Sequence, residues 1–408
     1  MVINNKQKIV NISLFVALAS VLQIMESVFP HPIPGLKLGL ANIITLVTLI
    51  LYGFKESIQV AIYRTLLSSF IMGSFLTPGF ILSITGSITS TIVMWIIYNL
   101  SLKNYKPKFS IIGISIFGAI THNFTQLAIV YFFLAKHNSI LWFLPWLGIG
   151  GIIMGYITGL IAQHISRKIL KLSSDTNNMV FIKNNYLYNN LIPNQYVATN
   201  SIIHRASPEL KIVSFITFSV IILLSKLFWH YILISVFLLS VFLLSKINFK
   251  TIISDICKLL WILPLCFILP LFFTKGKIMY ETSIAKITYE GLYKGSNLTL
   301  RMIFILLSSN ILLHTTTNKE LISGMNNVLY PLKILGLSVN KLTEIFNISL
   351  NMIPFIWYET NLVLKKTKLK KKIVYFIPII SYVIINVYKK ILKNYNYGSY
   401  EIVDSNKK

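Results

Sequence analysis

Apolar residues in this chain arrive in blocks of about 16 to 28 with few or no charges. A helix needs roughly 20 such residues to cross the hydrocarbon of a bilayer. A soluble domain could not hide this much apolar surface, because hydrophobic residues make up 55% of 408 positions, charged residues 12%, and mean hydropathy is +0.69. The expected fold class is an all-α integral membrane protein.

The formal charge of +26 raises nucleic acid as a partner, since basic patches attract phosphate. Position argues against it. The lysines occupy short gaps between apolar blocks, as the positive-inside rule expects, and form no continuous basic stripe with aromatic platforms. Only four basic residues are arginines: Arg64, Arg167, Arg205 and Arg301. Cys257 and Cys266 are nine apart, which fits neither a metal knuckle nor a redox pair, so they read as two structural thiols. The first apolar block follows Lys6 and Lys8 and is interrupted by Glu26 and Pro30 without a small-residue cleavage site, so it reads as a retained helix.

Six blocks fill the first part of the chain, at about 9–29, 38–53, 57–76, 79–101, 110–135 and 141–166. An even number returns the chain to its starting side. Lys6, Lys8, Lys55, Lys103, Lys106, Lys108, Arg167, Lys168, Lys171 and Lys183 fall on that side, against Lys37 and Lys136 on the other, so the N-terminus is expected in the cytoplasm. Residues 172–206 are rich in Asn, Ser, Asp and Tyr and read as a polar linker between units at 1–171 and 207–408. Four further blocks follow, at about 210–228, 229–246, 254–274 and 297–313. The stretch from about 316 to 366 is amphipathic and punctuated by Pro331, Gly336 and Pro354. Six lysines between Lys365 and Lys372 precede a last block at 373–388, which is short, holds Pro378, and is either a crossing or an interfacial helix.

No constellation for covalent chemistry is present. The twelve acidic residues are never adjacent, so the aspartate clusters that hold magnesium on a diphosphate are missing, and no Gly-rich loop ends in Gly-Lys-Ser/Thr. An enzyme is not expected, no cofactor is implied, and any ATPase must be another subunit. Polar residues inside apolar blocks are the remaining clue, because burying them in lipid is costly and often marks a pathway or site. Glu26, His31, Asn42, Arg64, His122, Asn123 and Gln126 are the candidates for binding a small molecule. Glu26, His31 and Asn42 flank the connection "FPHPIPGLKLG", and His122, Asn123 and Gln126 share about one helical face. Helix packing is the plain alternative for each. Gly151, Gly155 and Gly159, four apart, read as packing within the six-helix unit, whereas Ser13 and Ala17 could pack there or contact the second unit.

Residues 9–168, through "ALASVLQIMESVFPHPIPGLKLGLANI" and "GSFLTPGFILSITGSI", resemble the Gx transporter family, also named heptaprenyl diphosphate synthase component I. That family is similar to the substrate-binding S components of energy-coupling factor (ECF) transporters. Residues 205–400 resemble the T component of the same transporters, through "SPELKI", Gly291, Leu292, Gly295, Leu300, Arg301, Ser308, Thr315, Thr316, Pro331, Leu332, Glu344, Ile353, Pro354 and Glu359. The resemblance implies a six-helix S-component-like bundle followed by a T-component-like helical scaffold with cytoplasmic coupling helices. It also implies a place in the inner membrane, a vitamin-type substrate and two cytoplasmic ATPase partners.

The family's two Ala-Arg-Gly-like docking motifs are not kept. The first is replaced around "KKTKLKKK" and the second falls on Asn396, Tyr397 and Gly398, which removes the planar fork that pairs with a carboxylate. Residues implied in ATPase coupling are therefore Glu344, Pro354 and Glu359 with Lys365, Lys366 and Lys368, then Tyr397 and Gly398. The lysines also read as anchors to anionic lipid. Two other functions stay open: a non-catalytic subunit for polyprenyl diphosphate synthesis, and an ATP-independent carrier.

Overall fold

The computed structural model describes residues 5–28, 39–75, 77–102, 109–135, 138–175, 196–225, 227–251, 262–274, 276–281, 286–330, 339–366, 381–382, 384–386 and 388. The first part is a helical bundle: α1 (Asn5–Val28), α2 (Leu40–Tyr52), α3 (Phe54–Met72), α4 (Pro78–Leu102), α5 (Ile111–Ile129) and α6 (Leu144–Asp175). A π-helical segment, Val130–Ala135, extends α5, and a 3-10 turn, Asn138–Phe143, leads into α6. The second part holds α7 (Ile202–Arg205), α8 (Pro208–Leu224), α9 (Phe228–Ser245), α10 (Ile262–Phe273), α11 (Tyr289–Thr315), α12 (Asn318–Leu329) and α13 (Val339–Lys366). An antiparallel hairpin of β1 (Ile278–Glu281) and β2 (Lys286–Thr288) joins α10 to α11.

Among the described residues, five segments are long and apolar enough to cross a membrane: Lys8–Ser27, Gly79–Leu100, Ile111–Phe132, Leu141–Leu170 and Tyr289–Thr315. Leu40–Tyr52 and Trp229–Ser245 are shorter apolar helices. Large side chains on their outer faces, including Trp142, Trp146 and Ile153 of the first part and Leu233, Leu239 and Leu243 of the second, are exposed as lipid contact requires. The chain is a multi-pass, all-α membrane protein, with one small hairpin among the described residues.

Local chemistry sets the helix ends. Gly53, at φ 93, separates α2 from α3 with no intervening residue, and Gly73, at φ 71, ends α3. The Ser110 hydroxyl caps α5 by accepting from Gly113 N at 3.1 Å. Thr317 and Glu320 form a reciprocal capping box at the start of α12.

In lipid, helices associate through close backbone approach and interhelical hydrogen bonds rather than through burial from water. The α5–α6 pair shows both. A Cβ at Gly155 would lie 2.6 Å from Ile116 Cα, and one at Gly159 would lie 2.7 Å from Ile112 Cα, so these glycines form the packing face their spacing predicts. The Ser115 and Thr158 hydroxyls meet across the pair at 2.9 Å. In the second part, Gly291 and Gly295 bring α11 against α10, where an added Cβ would come within 2.7 Å of the Leu271 and Phe267 carbonyl oxygens.

Helix α1 packs against α2, α3 and α13. Its residues Leu14 to Ala19 are buried, and one apolar core runs from α1 and α2 through to Ile345, Phe346, Met352 and Ile353 of α13. Lys8 pairs with Glu56 at 2.5 Å and ties α1 to α3.

Three features differ from the sequence expectation. Helix α6 continues to Asp175, four residues into the segment read as linker. The end of that segment packs on the second part, since Val197 N donates to the His314 carbonyl at 3.0 Å. The hairpin was not expected, because the described β1 residues are all exposed and show no alternation.

Candidate functional site

Arg64 lies in the middle of α3 and is 3% exposed. Its guanidinium is held by neutral acceptors from three other helices: Nη1 donates to Gln23 Oε1 at 3.0 Å, and Nη2 donates to Asn42 Oδ1 at 2.6 Å and Ser87 Oγ at 3.0 Å. Its buried Nε has no hydrogen-bond partner among the described residues. Glu26 attracts the arginine electrostatically, while its Oε1 accepts from Gly39 N at 2.6 Å and so fixes the entry to α2.

Asn42 connects this network to a cavity. The cavity lies between α2, α4, α5 and α6, and its lining includes Asn42, Met94, Ser115, His122, Asn123 and Thr158. His122 Nε2 and Gln126 Nε2 lie 3.0 Å apart, and Gln126 Nε2 also donates to the Leu82 carbonyl at 3.4 Å. Asn123 Nδ2 donates to the Leu147 carbonyl at 3.0 Å and holds α5 to α6. The volume is about 20 Å³, room for one water, and far below the several hundred Å³, on the order of 300 or more, that a small-molecule pocket needs. Met94 and Met154, whose unbranched thioethers repack easily, form much of the apolar wall.

Of the sequence candidates, Asn42, His122 and Asn123 line one cavity, and Arg64 is one hydrogen bond away. Gln126 supports His122 and does not line it. Glu26 acts on the backbone of α2. His31 lies outside the described residues. Sequence reasoning missed Gln23, Ser87, Ser115 and Thr158, whose only signal was polarity inside apolar blocks, and Met94 and Met154, which gave none.

A second arrangement joins the two parts. Helix α13 lies along α1, and Ser349 Oγ donates to the Ser13 carbonyl at 2.9 Å. Ser13, Ala17 and Ser349 are fully buried. Phe346 meets the ring of Tyr63 edge-on at 5.6 Å, and Phe75 packs near Phe215 of α8 at 6.0 Å. Tyr388 stacks on Phe15 at 6.0 Å. Along α13, Glu344 is exposed while Pro354 and Glu359 are buried. Lys365 and Lys366 are the last residues of α13. Lys368, Tyr397 and Gly398 lie outside the described residues.

Two family profiles match the chain, one per half: "Heptaprenyl diphosphate synthase component I" over residues 15–165 and "Cobalt transport protein" over residues 199–366. The second half is also similar to proteins named energy-coupling factor transporter transmembrane protein EcfT. The one from Thermosediminibacter oceani is 34% identical over 171 residues, covering 42% of this chain and 64% of the relative. That from Bacillus subtilis is 30% identical over 180 residues, covering 44% and 68%. That from Lactococcus lactis is 30% identical over 202 residues, covering 47% and 76%. The chain spans 64% and 68% of the length of the first two.

Proposed function

The chain belongs to the family of energy-coupling factor transporter transmembrane proteins EcfT, and from that premise we propose that it is a fused membrane subunit of an importer. Its first part binds a small molecule from outside, and its second part couples uptake to separate ATPase subunits. The observation that carries this reading is the α1–α13 seam. A helix with the Glu344, Pro354 and Glu359 pattern of a coupling helix packs directly on the first helix of the candidate binding bundle, through Ser349 and Ser13. A shift of α13 is thereby delivered to the bundle within one chain.

The cavity supports the binding role, because convergent polar groups in a mostly apolar enclosure are the usual form of a small-molecule site. Both termini lie in the cytoplasm if the block at 373–388 does not cross, a reading supported by the lysines on either side of that block. A reporter fused ahead of Met1 should be active only inside the cell; activity only outside would reverse the orientation.

The ATPases are held through a lysine contact. Lys365 and Lys366 at the end of α13, followed by Lys368, supply charge without the bidentate geometry of arginine, so the contact is more salt-sensitive than an arginine one. Reversing all three to glutamate should remove ATPases from the purified complex. Unchanged co-purification with undiminished transport would leave these lysines as lipid anchors.

The profile over residues 15–165 favours a second reading, a non-catalytic subunit for polyprenyl diphosphate synthesis. It requires a soluble prenyltransferase as partner in place of ATPases. The curated relatives bear the names of transporter membrane proteins, not enzymes.

A further inference from the structure

We propose that the molecule taken by this cavity carries a single carboxylate, and that Arg64, released from Asn42, is the residue that pairs with it. The inference rests on the reading of the cavity as the binding site and adds the chemical class of its ligand.

A charged guanidinium buried among apolar helices is expensive, and such charges ordinarily pair with an opposite charge or face a pathway. Arg64 is 3% exposed, yet among the described residues its guanidinium donates hydrogen bonds only to the neutral side chains of Gln23, Asn42 and Ser87. Its Nε is buried and has no hydrogen-bond partner among the described residues. The nearby carboxylate, Glu26, binds the backbone of Gly39 and reaches Arg64 only through its field. The arginine is thus desolvated and incompletely matched, which is the state of a recognition group rather than of a structural ion pair.

Asn42 makes the arrangement a latch. Its side chain lines the cavity, and its Oδ1 holds Nη2 of Arg64 at 2.6 Å. A rotation of Asn42 exchanges a neutral amide oxygen for an anionic one at Nη2 and, with the unpartnered Nε beside it, supplies the two donors through which arginine grips a carboxylate. One guanidinium, with Glu26 close by, favours a monoanion. A phosphate monoester, with a charge of about −1.5 to −2, would be under-neutralised. His122, Asn123, Ser115 and Thr158 remain to bind the neutral part of the molecule.

The test uses the purified full chain in detergent and a panel of small monocarboxylic acids, each paired with its amide and a phosphate ester of similar size. Thermal unfolding and tryptophan fluorescence are the readouts. At least one acid should stabilise the protein while its amide does not, and Arg64→Gln should abolish that shift. Arg64→Lys, which keeps the charge, should weaken the acid about ten- to hundredfold, the loss of one charge-assisted hydrogen bond. Asn42→Ala should keep the preference for acid over amide. Equal stabilisation by acids and amides, stronger binding of the phosphate esters, an acid-selective shift that survives Arg64→Gln, or no shift with any acid would each overturn the proposal. Binding that ignores charge but is lost in His122→Ala with Asn123→Ala would leave the site reading standing and remove only the carboxylate.

Discussion

Tryptophan at Ser349 should reduce uptake on the order of a hundredfold while leaving ligand affinity within a few-fold of the parent. Ser349 is fully buried between α13 and α1, and its one hydroxyl proton is shared between the carbonyls of Ile345, at 2.6 Å, and Ser13, at 2.9 Å. An indole cannot enter that space without separating the two helices, and overpacking by much smaller groups already costs about 1–3 kcal/mol. The cavity is built from α2, α4, α5 and α6, none of which carries Ser349, so binding and uptake should part company. Radioligand uptake by cells beside binding to the purified chain separates the two effects. If both fall together, the seam is structural. If neither falls, α13 does not transmit motion through it.

The second large effect is expected at the cavity. Replacing His122 and Asn123 together by alanine should weaken ligand binding on the order of a hundredfold or more, since each loses a polar contact inside a desolvated site. Asn123 also holds the Leu147 carbonyl at 3.0 Å, so a loss of folding must be measured separately. Circular dichroism and elution from a sizing column serve for that, and calorimetric titration gives the affinity. Undiminished affinity in folded protein would move the site elsewhere in the bundle.

How much of this was legible in the sequence depended on whether a residue's meaning was local. The spans of α1 and α4 to α6 follow from length and hydropathy alone, and the Gly151, Gly155 and Gly159 spacing announced the face that meets α5. Polar residues inside apolar blocks pointed to Arg64, His122 and Asn123, because lipid makes each of them costly. That Asn42, also a candidate, would meet Arg64 was not legible, and neither were the other partners. Gln23, Asn42 and Ser87 converge on Arg64 from three helices, and no spacing along the chain encodes a meeting between helices. Met94 and Met154 are apolar residues in apolar helices and carry no periodic signal. The hairpin was hidden for the opposite reason: two strands of four and three residues are too short for alternation to emerge. The seam was half visible, since Ser13 and Ala17 suggested a close helix contact but not which helix would fill it.

Purification of the full chain from native membranes in mild detergent, with quantification of every stoichiometric partner, tests the proposed importer role most directly. Two ATPase subunits per chain, released by raised salt, are the expected result. A soluble prenyltransferase in their place, with no ATPase at any salt concentration, would contradict it.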